Sequence, residues 1–216
     1  MKLRSAVLCL ALTVGVALSA LAQNEIYDNG PINGTVDAWT INSGFAVSDS
    51  FTVSSASASV TGLTFGSFML PGDVLQSVEV SITSNEFGGT TYFDQVVSLT
   101  QTDCMTNQFG YNICHQNATF DGPTLQNGTY WLTLSNAIVN DGDPAYWDEN
   151  SGFGCTSPGC PSSASQNTVG TIPSEDFTLY GNSTGTGSGT TPEPSGLLLF
   201  GSGVLAMAGM LRRKLF

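Results

Sequence analysis

The body of this sequence has no positive charge. Only five of its 216 residues are Lys or Arg, and they are Lys2, Arg4, Arg212, Arg213 and Lys214. Between Ser5 and Leu211 there is none, while 17 Asp and Glu bring the net charge to −12. Nucleic-acid binding is excluded, because nothing in the body neutralises phosphates. Mechanisms that need a lysine Schiff base or an arginine clamp are excluded with it. Histidine is nearly absent too, so a Ser-His-Asp triad would have to use His115. No body segment carries an apolar stripe of period 3.6, which argues against helices. No repeat of fixed period is visible, which argues against solenoids and propellers. What is present is core material, 41% hydrophobic and 10% aromatic residues, so disorder does not fit.

The two ends read as addresses. Lys2 and Arg4 precede an apolar run from Ala6 to Leu18, and Ala20-Leu21-Ala22 supplies a small-x-small cleavage site. This is the pattern of a secretory signal peptide over residues 1–22, with a mature start at Gln23. At the other end, residues 181–191 (GNSTGTGSGTT) read as a flexible linker spanning roughly 18 Å root-mean-square. Pro192-Glu193-Pro194 follows, then an apolar stretch over 196–211, then Arg212-Arg213-Lys214. As a helix the stretch is about 25 Å long, the short end of what crosses a bilayer. The basic cluster after it predicts a cytoplasmic C-terminus and a body outside the membrane.

Residues 191–216 (TPEPSGLLLFGSGVLAMAGMLRRKLF) resemble the PEP-CTERM protein-sorting tail of Gram-negative bacteria. Pro192, Glu193, Pro194, the apolar stretch and Arg212-Arg213 match that pattern in order. The resemblance implies processing by an exosortase, a transpeptidase-like membrane enzyme. It also implies export to the cell surface or to extracellular polysaccharide. It covers the tail alone and implies nothing about what the body does.

The body, residues 23–180, is one domain's worth of chain. Its cysteines are Cys104, Cys114, Cys155 and Cys160. An even number in an exported chain reads as disulfides, and the local pairs Cys104–Cys114 and Cys155–Cys160 are favoured. Each would contribute roughly 2–3 kcal/mol. A zinc site is the alternative, but the spacings are not those of a zinc ribbon. Val78, Val80 and Ile82 alternate with polar residues, as do Tyr130, Leu132 and Leu134. Further strands are expected over 36–41, 50–54, 58–65, 91–100, 111–120 and 176–180. The expected fold is an all-β, jelly-roll-like β-sandwich.

The chemistry-bearing residues cluster in 141–150 (DGDPAYWDEN). Asp141, Asp143 and Asp148 are oxygen donors of the kind calcium takes, though the EF-hand pattern is missing. The plain alternative is an exposed acidic loop; no other cofactor is expected. Tyr146, Trp147, Asp148 and Glu149 form a candidate ligand site, with a ring to stack a sugar and acids to bond its hydroxyls. The competing reading has Trp147 plugging the end of the sandwich. Glycosidase chemistry needs two carboxylates about 5–9.5 Å apart, and 16 acids supply such pairs by chance. Gly181-Asn182-Ser183-Thr184-Gly185 matches a nucleophile elbow but lacks its strand–helix context, so no catalytic residue is assigned. The expectation is an exported, non-catalytic surface or matrix protein associated with extracellular polysaccharide. A carbohydrate-binding module is the first alternative and a polysaccharide-active enzyme the second.

Overall fold

The computed structural model describes residues 24–35 and 37–184. They belong to the first of two compact units, Met1–Gly185. The signal peptide, Pro192-Glu193-Pro194, the apolar stretch 196–211 and Arg212-Arg213 lie outside the described residues. Among the described residues no helix is long and apolar enough to cross a membrane.

Every regular element described is a strand. They are β1 (Asn24–Asp28), β2 (Asp37–Thr40), β3 (Ala46–Met69), β4 (Leu75–Asn85), β5 (Gly88–Ser98), β6 (Thr100–Thr106), β7 (Asn112–Thr119), β8 (Thr124–Val139), β9 (Tyr146–Glu149), β10 (Ala164–Gln166), β11 (Gly170–Ile172) and β12 (Phe177–Thr184). Alternation drives them: Val78, Val80 and Ile82 of β4 are fully buried while Ser77, Glu79 and Ser81 are partly exposed. A strand presents successive side chains to opposite faces, so this pattern buries one face.

The strands form one hydrogen-bonded sheet, and β3 is its spine. Its first half, Ala46–Val53, pairs with β8, and Val47–Asp49 also pair with β10. Its second half pairs with β12 at Ser57–Phe65, with β7 at Gly62–Met69 and with β9 at Ser67–Phe68. Thus β3 passes from one set of neighbours, with β4 and β5 beyond β8, to another, with β1 beyond β12 and β6 beyond β7. Rings join the two sets across the core. Tyr27 of β1 lies 6.0 Å from Phe51, and Phe93 of β5 stacks on Phe120 at 4.9 Å. The arrangement is consistent with a β-sandwich, built from one continuous sheet.

Three details depart from expectation. The strands foreseen at 50–54 and 58–65 are one strand. The irregularity between Val53 and Ser57 does not end β3, because side chains satisfy the carbonyls there. Asn127 Nδ2 donates to the carbonyls of Val53 and Ser54, and Ser55 Oγ donates to that of Ser57. The foreseen linker starts late, since Gly181–Thr184 pair with β3 as part of β12. Finally, Tyr146–Glu149 are not a loop but β9, paired with β2 and β3.

Both favoured disulfides are formed. Cys104–Cys114 crosses β6 and β7 where their register shifts, and Cys155–Cys160 closes a turn in the loop after β9.

Candidate functional site

An aromatic groove opens where β2, β9, the end of β3 and the β6–β7 turn meet. It encloses about 320 Å³ and is lined by Asp37, Ala38, Phe68, Phe109, Tyr111 and Tyr146. Strand pairing sets it up: β9 lies between β2 and β3, which places Tyr146 opposite Phe68. Tyr111 completes the cluster, 6.1 Å from the Phe68 ring and 6.2 Å edge-on to Tyr146. Phe109 is 62% exposed at the turn, and Asn107 holds that turn with its side-chain oxygen on the N–H groups of Phe109 and Tyr111. Exposed rings beside a carboxylate can stack an apolar face and bond a hydroxyl together.

Beneath β9 lies the opposite environment, a set of buried acids. Alternation along β9 sends Tyr146 to the groove and Trp147 inward, where it is fully buried. The Trp147 ring packs edge-on against Phe65 and Phe177, and its Nε1 donates to the Asp176 carbonyl at 2.6 Å. Trp147 therefore plugs the interior and offers no face to a sugar. Asp148 is buried as well and accepts from the N–H groups of Asn33 (2.8 Å) and Gly34 (3.1 Å). Glu149, also buried, accepts from Trp39 Nε1 at 3.0 Å and Ser151 Oγ at 2.8 Å. Of the four residues foreseen as a ligand site, only Tyr146 faces the groove.

Asp49, Glu175 and Asp176 join Asp148 and Glu149 in this interior. Asp49 Oδ2 accepts from the Glu175 N–H at 2.8 Å, and Asp176 Oδ2 from the Gly66 N–H at 2.8 Å. Gly66 is required there: a Cβ would sit 2.8 Å from Ile32, 2.9 Å from Asp176 Oδ1 and 3.0 Å from the Asp148 Cβ. Burial pushes Asp49 up to about 7, against the hydrogen bonds it receives. Burial pushes Asp148 up to about 6, helped by the Glu149 charge and opposed by the Asn33 and Gly34 N–H groups. Glu175 and Asp176 rise well above the carboxylate range, first through burial and then through neighbouring acids, Asp49 for Glu175 and Asp148 for Asp176. With no base in the body, an interior acid is neutralised most directly by keeping its proton.

A third group of acids runs from the surface inward, with Asp141 exposed, Asp143 half-buried and Asp73 buried. Asp141 and Asp143, in the β8–β9 loop, converge with Asp73 of the β3–β4 turn, each offering a carboxylate oxygen within 4.8 Å of the others. Asp148 is not a member of this group: it is buried on the face of β9 that the Asn33–Gly34 segment covers, and its carboxylate is taken by those N–H groups. Burial and then the Asp141 and Asp143 carboxylates push Asp73 upward.

A second, polar groove on β4, β5 and β8 holds Glu79 and Asp94 among hydroxyls. Burial and then the Glu79 charge raise Asp94, which also shares a hydrogen bond with Glu79. Hydrogen-bonded carboxylates are closer than the roughly 5–9.5 Å that paired glycosidase acids keep.

No curated protein matches the chain. The C-terminus does match a family model, that of the PEP-CTERM protein-sorting motif, over residues 190–214. That span contains Pro192, Glu193, Pro194, Arg212 and Arg213. The base-free body is thus carried by a PEP-CTERM sorting motif, the mark of an exported surface protein processed by an exosortase.

Proposed function

We propose that this protein is a non-catalytic component of an extracellular polysaccharide matrix. The observation that carries the reading is the sorting motif at 190–214 on a two-disulfide, all-β body. The body suits such a place. Its 16 acids between Gln23 and Thr191, with no base, keep it soluble and repelled from anionic partners. The signal peptide delivers it across the membrane, the apolar stretch at 196–211 holds it there, and exosortase processing releases or displays it.

A second reading, carbohydrate binding, is favoured by the aromatic groove. Phe109 and Tyr146 supply ring faces and Asp37 supplies a hydroxyl acceptor. This moves the contact foreseen at Trp147 to its strand neighbour. The two readings are compatible, since a matrix protein needs a surface that holds glycan.

The test uses full-length protein in mild detergent and polysaccharide isolated from the producing cells. Electrophoresis through gels containing the polysaccharide measures retention. Retardation by the neutral or weakly charged fraction is expected, and the pair Phe109→Ala with Tyr146→Ala should weaken it roughly tenfold, the equivalent of about 1.4 kcal/mol. Retardation that survives the pair moves the contact elsewhere. Absence of the protein from the matrix fraction of the cells, with all of it in membranes, overturns the matrix reading.

A further inference from the structure

The acids at the end of the sheet come together from distant parts of the chain. Asp73 ends the turn after β3, where its N–H donates to the Leu70 carbonyl at 3.1 Å. Asp141 and Asp143 follow β8. Asn140 clips the two segments: its N–H donates to the Val74 carbonyl at 3.1 Å, and its Oδ1 accepts from the Val74 N–H at 2.7 Å. Asn42 secures the far side of the loop by donating to the Asp143 carbonyl at 2.9 Å. These bonds fix the backbone around the three carboxylates, and Asp141 Oδ1 adds one more by accepting from the Asp143 N–H at 3.2 Å.

Three carboxylates held this close repel one another, and no Lys or Arg exists in the body to offset them. One of them is also out of water. Asp73 is 5% exposed, and its Oδ2 is buried with no hydrogen-bond donor. That side chain lies beside the Asp141 and Asp143 charges, and a backbone hydrogen bond at Leu70 is the one interaction that opposes them. A buried carboxylate with an unpaired oxygen, clustered with two more carboxylates, asks for a cation.

We propose that Asp73, Asp141 and Asp143 form a calcium site that ties the β3–β4 turn to the β8–β9 loop. The spacing fits the ion. Calcium binds oxygen at about 2.3–2.6 Å, so two oxygens on one ion lie at most about 5 Å apart. The observed limit of 4.8 Å for all three pairs satisfies this. Magnesium demands a stricter octahedron and gives up its water reluctantly, so a flexible, water-completed loop site suits it less. Asp141 is exposed and Asp143 partly exposed, which leaves one side open for water to complete the six to eight ligands calcium takes. A site of three carboxylates open to solvent belongs with extracellular modules, whose dissociation constants run about 10⁻⁴–10⁻³ M. The proposal does not depend on what the aromatic groove holds.

The experiment is calcium titration of the full-length chain in mild detergent after dialysis against EDTA, at constant ionic strength. Thermal unfolding is one readout, and terbium luminescence sensitised by Tyr146, which lies within reach of the Asp143 charge, is the second. Calcium at about a hundred times its dissociation constant should raise the unfolding midpoint by roughly 5–10 °C. Asp141→Asn and Asp143→Asn, made singly and together in the β8–β9 loop, should abolish the rise and weaken terbium binding at least tenfold. Their midpoints in EDTA should equal or exceed that of the parent chain, because a repelling charge is gone. No midpoint rise up to 10 mM calcium overturns the site. So does a rise that magnesium matches at equal concentration, or one that persists in the double variant.

Discussion

The buried acids and the loop acids are made of the same residue types and face the same problem, a lack of bases, yet they solve it differently. Around Asp49, Asp148 and Asp176 the chain brings backbone N–H groups, from Asn33, Gly34, Gly66 and Glu175, while both Glu175 carboxyl oxygens are buried without a hydrogen-bond partner. The carboxyls there are driven toward their neutral form. Around Asp73, Asp141 and Asp143 the chain leaves one side open, so solution can supply the missing charge. In the proposed site it is the open side at Asp141, rather than burial alone, that separates these acids from the ones that hold a proton.

The sharpest way to break this contrast is to let water into the buried set. Trp147→Ala removes the ring that covers Asp176 and should cost about 3–5 kcal/mol, measured by denaturant unfolding. Removing an acceptor is next. Asp148→Ala strips the Asn33 and Gly34 N–H groups of their shared carboxylate and should cost about 1–3 kcal/mol at neutral pH.

The pH dependence then separates the two regions. Asp49 rises from 3.8 to about 7 and Asp148 to about 6 in the folded protein. The folded state thus keeps protons that the unfolded chain has released. Stability from these groups is full below about pH 4 and falls as pH rises through about 6–7. Unfolding midpoints in EDTA should drop steadily from pH 4.5 to 7.5, the reverse of ordinary acid denaturation. Glu175→Gln should flatten that slope and stabilise most at the alkaline end, since it removes the charge and keeps the shape. A midpoint that rises with pH would mean the buried acids are ionised and paired with something positive. The smallest effect belongs to the surface: Asp141→Asn without calcium should change stability by less than about 0.5 kcal/mol.

Much of the fold could be read from alternation. Val78, Val80 and Ile82 announced β4, and the hydrophobic set at Tyr130, Leu132 and Leu134 announced β8. What hid β3 was polarity: Ser54, Ser55 and Ser57 look like a break, and the carbonyls there are satisfied by Ser55 itself and by Asn127, more than seventy residues away. The site was half legible. Asp141 and Asp143 were visible as adjacent oxygen donors, but Asp73 comes from a different turn, marked only by Pro71-Gly72 before it. Tyr146 and Trp147 were visible as a pair of rings. Which one faced out depended on β9 being a strand, and the Asp-Pro before it argued for a loop. Of the buried acids, Asp148 and Glu149 were singled out, but as surface ligands, and Asp49, Glu175 and Asp176 were not, because an Asp or Glu ordinarily reads as surface.

The order of the strands has a consequence for a chain that leaves the cell threaded from its N-terminus. β1, the first strand to emerge, pairs with β12, the last. β12 in turn fills the edge of β3 between Ser57 and Phe65. Until residues 177–184 are outside, both the opening strand and the spine of the sheet have an empty side. Only residues 185–189 separate that strand from the sorting motif. Completion of the sheet and arrival of the sorting signal are therefore nearly one event in time. An exosortase acting on the tail meets a body that has just become able to close.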